Sequence, residues 1–365
     1  MSSGVKYVPI LKWRQGEYLA LGRSIDSVKD WIYPMFEIPV EQWDFEKEEP
    51  AKSLDDHLKN FGKRLSKNWQ NRRCLIDSPY LAGDDSMANG DHHLARIFDL
   101  ARSSNCQGIP VTGIDRHLSY QTAVAKIIAQ DGRGCGLRLV ADDLDDDVGL
   151  KLDALMKLLG VSADQVDIII DSNADVVDSP VTQASIWRSW LEALPTVIDW
   201  RSITVAGGSF PASLSPSANY RPHADVNRNE WRAYLKLMTK DLERQPWFGD
   251  YGCASPRTEM LDPRTFDPNA KIKYTIDEKW RIVVGIQVKR NGRDQYRGLC
   301  KHLIASTPHS FLGRAYSWGD EYIEDCSTGA SSTGGSSTWP SVATNHHVTK
   351  VVRDVAKQSG SSIVP

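Results

Sequence analysis

The feature that most constrains this chain is a rhythm. Short apolar runs alternate with longer amphipathic stretches, eight times before residue 255. The runs are Tyr7–Leu11, Tyr33–Glu37 within WIYPMFEIP, RRCLID, GIPVTGID, LRLVADD, VDIIID, SITVAGG and PWFGDYG. They are nearly continuous in apolar character rather than alternating, as strands buried on both faces must be. The stretches between them carry helical spacing. In SLDDHLKNFGKRLSKNW, Leu54, Leu58, Phe61, Leu65 and Trp69 recur at steps of three and four, which predicts one helix. Ser53 is placed to cap it, with Asp55 and Asp56 in its first turn. Gly160 stands where a helix C-cap glycine belongs. Eight such units predict a parallel sheet, and the number eight favours a closed (β/α)8 TIM-like barrel. Closure removes both sheet edges, and eight strands enclose an interior that side chains just fill. No GxGxxG follows the first strand, which argues against a doubly wound dinucleotide-binding fold.

The rhythm changes after residue 255, so residues 1–255 are read as the barrel core. KIKYTIDEKWRIVVGIQV predicts a hairpin, YRGLCKHLIAS a short helix, FLGRAYSWGDEYI an extended piece and CSTGASSTGGSST a flexible loop. These make 256–344 one elaborated C-terminal excursion. Asn345 is expected to cap a closing helix, with 345–365 as helix and tail. FLGRAYSWG competes with PWFGDYG as the eighth strand.

Composition narrows the setting. A net charge of −3 over 365 residues gives no broad basic field, so strong non-specific nucleic-acid binding is not expected. The six cysteines form no CxxC pair and read as reduced packing thiols. With no signal pattern at the start and no apolar run approaching the ~18 residues of a membrane span, a cytoplasmic protein is the expectation.

In a β/α barrel the C-terminal strand ends share one face, where sites are built. Read in order, those ends carry Lys12 and Arg14; Glu37; Asp77; Asp115 and Arg116; Asp142 and Asp143; Asp171 and Asn173; Gly207-Gly208-Ser209; Asp250 and Tyr251. So many carboxylates around one mouth need countercharge. Lys12, Arg14 and Arg116 supply some, and Mg²⁺ or Mn²⁺ on Glu37, Asp77 and Asp171 would supply more. Acids after strands also simply cap the next helix, but Glu37 and Asp77 precede Ile38-Pro39 and Ser78-Pro79. Gly207, Gly208 and Ser209 offer backbone N–H groups to a phosphate, or merely a turn. His92-His93 and His346-His347 are expected at helix starts, where a neutral imidazole suits a general base.

Four segments together, YVPILKWRQGEYLAL, YPMFEIP, YSWGDEYI and TNHHVT, resemble the phage-type beta protein family. The matching positions are Lys12, Arg14, Gln15, Glu37, Ser317, Gly319, Asp320, Asn345, His346 and His347. The resemblance implies a protein of phages and bacterial mobile elements, with a role in phage–host conflict, and it adds Gln15 and Asp320 to the substrate-binding set. The expected function is metal-assisted hydrolysis or transfer at a phosphoester of nucleotide or nucleic-acid origin. Glu37, Asp77, His346 and His347 are the expected catalytic groups. Lys12, Arg14, Gln15, Arg116, Gly207, Gly208, Ser209 and Asp320 are the expected substrate contacts. The alternatives are a non-catalytic immunity or interaction protein that binds a partner through the barrel mouth or the excursion, and a sugar-active hydrolase using two of the carboxylates.

Overall fold

The computed structural model describes residues 6–82, 84–213, 223–257, 262 and 264–361; the first five residues, part of the stretch read for a signal pattern, lie outside them. Eight parallel strands close into a barrel. In chain order the strands are β1 (Tyr7–Lys12), β2 (Met35–Glu37), a two-residue hairpin β3 (Trp43–Asp44) and β4 (Glu49–Pro50), then β5 (Arg73–Asp77), β6 (Gln107–Thr112), β7 (Cys135–Leu139), β8 (Val166–Asp171) and β9 (Ser202–Gly207). They continue as β10 (His223–Asn227), β11 (Trp247–Asp250), β12 (Asn269–Thr275) and β13 (Lys279–Gln287). Around the barrel the order is β1, β11, β9, β8, β7, β6, β5, β2. PWFGDYG therefore supplies the closing strand, with Tyr7 opposite Phe248 and Pro9 opposite Asp250.

Strand parity sets what fills the barrel. Val8, Ile10, Met35, Leu75, Ile109, Val111, Ile169 and Ala206 form its inner cluster, and their positions differ by two along each strand that contributes a pair. Asp167 lies two residues before Ile169, at the N-terminal end. There Arg201 (3.0 and 2.7 Å), Tyr33 (2.7 Å) and Ser202 (2.6 Å) all donate to its carboxylate. Every hydrogen-bonding group of that plug serves the protein, so it closes the barrel's lower end.

The remaining strands pair antiparallel as a second sheet, β10-β13-β12, with its own core of Ala270, Ile272, Tyr274, Tyr296, Cys300, Leu303, Ile323, Trp339 and Val342. The predicted hairpin is β12 and β13. β10 joins it from within the barrel sequence, so the second sheet draws on chain from both sides of residue 255. The helix Thr338–Gln358 joins the two cores: Trp339 and Val342 pack in the second, while Val348, Val351, Val352 and Val355 pack against the barrel.

Several local expectations are corrected. The 53–69 helix is two helices, Leu54–Leu58 and Phe61–Trp69, although Ser53 does cap the first, accepting from the Asp56 N–H at 3.2 Å. FLGRAYSWG is not a strand. Ser317 caps a helix over Trp318–Thr328, accepting from the Asp320 N–H at 3.2 Å. Asn345 caps nothing, because the last helix starts at Thr338. His346 and His347 therefore lie about two turns inside it, and the N-terminal argument for a neutral imidazole falls. The six cysteines are free and buried. Among the described residues no helix is long and apolar enough to cross a membrane.

Candidate functional site

The C-terminal strand ends meet at the mouth around a residue that the charge pattern did not single out. Arg138 of β7 points inward and its guanidinium binds three carboxylates. Nη1 donates to Glu37 Oε1 and to Asp77 Oδ2, both at 2.9 Å, and Nε donates to Asp171 Oδ2 at 2.9 Å. Nη2 donates to the Tyr251 hydroxyl at 2.5 Å, and that hydroxyl donates to Asp171 Oδ2 at 2.6 Å. Arg116 adds two bonds to Asp77, at 2.9 and 3.0 Å. The second oxygen of Glu37 accepts from Tyr80 at 2.8 Å, and that of Asp171 from the Asn173 N–H at 2.8 Å. Glu37, Asp77 and Asp171 are at most 1% exposed. Burial works against the charge on Arg138, but Tyr251, Asp171, Glu37 and Asp77 outweigh it and hold the guanidinium protonated well above its ordinary value.

Glu37, Asp77 and Asp171 thus converge as expected, but on a guanidinium. Every carboxylate oxygen already accepts a hydrogen bond, and among the described residues no group of His, Cys, Asp and Glu is disposed to hold a metal ion. The trio does not fit a divalent ion in this arrangement. A signal for Arg138 was present in LRLVADD: it is the one charge inside that apolar run, two residues after Gly136, at inward parity.

Beside this network the mouth opens into a cleft of about 1250 Å³ lined by Lys12, Arg14, Gln15, Tyr18, Trp43, Arg64 and Tyr80, among others. Lys12 points inward from the end of β1. Its Nζ donates to the carbonyls of Ser255 and Pro256 at 3.1 and 3.0 Å, and it lies 5.9 Å from the centre of the Tyr80 ring. Burial lowers its pKa, partly offset by Glu37. Arg14 is the N-cap of the first helix, Gln15–Gly22, and Glu17 sits three residues on. Burial pushes the Glu17 carboxyl up to about 8 against the pull of Arg14 and Lys12, and its Oε2 has no hydrogen-bond partner among the described residues. Glu17 was not singled out by the sequence, where it reads as an ordinary first-turn acid.

The glycine turn after β9 is used differently from a phosphate cradle. The Gly208 N–H donates to the Asn173 carbonyl at 2.8 Å and the Ser209 N–H to Glu230 Oε2 at 3.1 Å. A Cβ on Gly207 would stand 2.5 Å from Val176, and one on Gly208 2.7 Å from Pro256. Close packing accounts for both glycines.

His346, His347 and Asp320 lie away from the mouth, fully buried between the last helix and the second sheet. His346 bonds Asp320 Oδ2 through Nδ1 and the Thr275 carbonyl through Nε2, both at 2.8 Å, and stacks on Tyr274 at 3.7 Å. Tyr274 and Ser317 donate to the same carboxylate at 2.6 and 2.5 Å. His347 Nε2 meets Asp250 at 3.0 Å and its Nδ1 meets Thr275 Oγ1 at 2.7 Å, while Tyr7 donates to Asp250 at 2.5 Å. Asp250 and Tyr251 are sequence neighbours on opposite faces of the barrel wall, so one end of β11 serves both clusters. Burial would lower the His347 pKa, but Asp250 and Cys253 overcome it and raise it to about 9. His93 differs: burial takes it down to about 4, against a weaker pull from Asp85, and Ser78 holds its Nε2 at 2.9 Å.

The family model for Beta protein matches residues 7–353. The chain belongs to the Beta protein family. No curated protein matches its sequence. Among solved structures it is similar to a mutant tryptophan synthase α-subunit from Pyrococcus furiosus, at 9% identity and a TM-score of 0.38, over 68% of this chain and 87% of that one. It is also similar to the carboxyl transferase domain of Rhizobium etli pyruvate carboxylase, at 10% identity and a TM-score of 0.35, over 68% of this chain and 40% of that one. Within this Beta protein family member, the positions that carried the resemblance fall into two places. Lys12, Arg14, Gln15 and Glu37 border the mouth. Ser317, Gly319, Asp320, Asn345, His346 and His347 bind the last helix to its surroundings.

Proposed function

We propose that this Beta protein family member hydrolyses or transfers a phosphoester of nucleotide or nucleic-acid origin in the cleft at its barrel mouth. The observation that carries the reading is the lining of that cleft. Lys12, Arg14, Lys52, Lys59, Arg64 and Arg264 border it among five carboxylates, of which Asp56 pairs with Lys59 and Asp262 with Arg264, and Trp43, 39% exposed, offers a ring face on which a base can stack. Lys12 and Arg14 hold anionic oxygens and offset the charge that develops as the ester bond breaks. Glu17 is neutral below about 8, so it does not repel an anion beside that pair and holds a proton for the leaving oxygen. Arg138 and Arg116 supply the countercharge assigned from sequence to Mg²⁺ or Mn²⁺, and no step is routed through a metal. A role in phage–host conflict is the setting that the family resemblance suggests for such an activity.

A second reading has its own observation. Asp142, Asp145, Asp146 and Asp147 form an exposed acidic run after β7, suited to steering a basic protein partner toward the rim.

Titration with adenosine monophosphate, read by Trp43 fluorescence against a Trp43→Phe control, tests the binding half. Saturable quenching, weakened at least tenfold in Arg14→Gln, is expected. Hydrolysis of bis(p-nitrophenyl) phosphate that falls in Glu17→Gln tests the chemistry. No binding and no turnover in the wild type would shift the weight to the partner reading.

A further inference from the structure

A second cavity, of about 490 Å³, lies between the end of the first helix and the helices Trp318–Thr328 and Thr338–Gln358; Arg23, Arg314, Tyr316, Trp318, Glu321 and Arg353 are among its lining residues. Arg23 follows the C-terminal end of the helix that returns from β1, so it lies toward the barrel end opposite the mouth. Among the described residues, two of the three guanidiniums lack a carboxylate. Arg23 stacks over the Trp318 ring at 3.9 Å and donates to Ser341 Oγ at 2.9 Å. Arg353 stacks over Tyr316 at 4.1 Å, donates to the Tyr316 carbonyl at 3.3 Å, and has an Nε removed from water with no partner among the described residues. Arg314 is already paired with Glu321 and Asp325. Asp354, beside Arg353 in sequence, is bonded by Lys350 at 2.6 Å.

We propose that this cavity is a second anion site, separate from the mouth, that takes the dianionic group of a phosphomonoester. Two unmatched guanidiniums call for two negative charges, and stacking on aromatic rings fixes the planar forks without using their N–H donors. A carboxylate would neutralise only one of the pair. A volume of 490 Å³ leaves room for the organic part of such a ligand, within the usual range of small-molecule sites.

The test is calorimetric titration of the full chain with inorganic phosphate. Saturable binding is expected in an Arg14→Gln background, in which the mouth is weakened, and falls at least tenfold when Arg353→Gln or Arg23→Gln is added. Arg23 is exposed, so its variant decides the matter if Arg353→Gln does not fold. Absence of binding to the wild type overturns the proposal. Binding in that background that survives both cavity variants, or that is absent from the background itself, also overturns it and assigns the phosphate elsewhere.

Discussion

Arg138 sits in an otherwise apolar strand, and three buried carboxylates accept its donors. Removing it would leave Glu37, Asp77 and Asp171 without their shared partner in a site that excludes water. Arg138→Met should therefore lose about 3–5 kcal/mol, the cost of breaking a buried ion pair on one side, read as a lower urea midpoint. A midpoint within experimental error of the wild type would mean that the network does not hold the mouth. His347 gives a pH signature. Its folded pKa, about 9, stands above the ordinary 6.5, so the stabilisation is complete below 6.5 and is lost as pH rises through 9. Stability of the wild type should fall across that window by on the order of 3 kcal/mol. His347→Gln should be less stable at pH 6 and flatter from there to pH 9. Glu17 and Glu230 lose their stabilising proton in overlapping windows, up to about 8 and about 7, so the difference between the two proteins reads the histidine together with the Cys253 thiol that it holds down.

At the scale of elements, the last helix is the part that decides most. A Cβ on Gly319 would stand 2.5 Å from the Val342 carbonyl oxygen, so the 318–328 helix can approach the last one only without a side chain there. Gly319→Ala should lose about 1–3 kcal/mol through this overpacking. Gly298→Ala, in the helix Gln295–Ala305 with nothing near its added carbon, should instead gain up to about 1 kcal/mol from reduced chain entropy. Thermal unfolding of the two variants checks both signs together. Asn345 ties the same contact, accepting from the Gly319 N–H at 2.9 Å and donating to the Ala20 carbonyl at 3.0 Å. The side chains that looked like a catalytic motif in TNHHVT are thus bonded inward, to the first helix, the second sheet and the end of β11. Adjacent polar residues in a sequence do not reveal whether they face a cavity or a neighbouring helix, and here that distinction rested on where the helix began.

For the whole molecule, charge is arranged in separate places: a guanidinium-centred network at the mouth, a cleft of mixed charge beside it, an acidic run on the rim and the arginine-lined cavity toward the opposite end. Millimolar Mg²⁺ or Mn²⁺ should leave the wild-type denaturation midpoint unmoved, because the three inward carboxylates are already bonded to Arg138; a distinct rise would restore an ion to that trio. The barrel itself was legible from the chain, since eight apolar runs at alternating spacing leave few other ways to bury every strand on both faces. The convergence of Glu37, Asp77 and Asp171 was legible too, because strand polarity alone carries their ends to one face. Local pattern could not decide which cation meets them, since Lys12, Arg14, Arg116 and Arg138 differ only in reach and in which side of a strand they leave. Nor could it place the two histidines, whose surroundings come from β11, β12 and a helix that begins seven residues before Asn345. Periodicity is a property of the chain and fixes elements; the partner of a buried charge is chosen by distance across the fold, and only the packed structure supplies that.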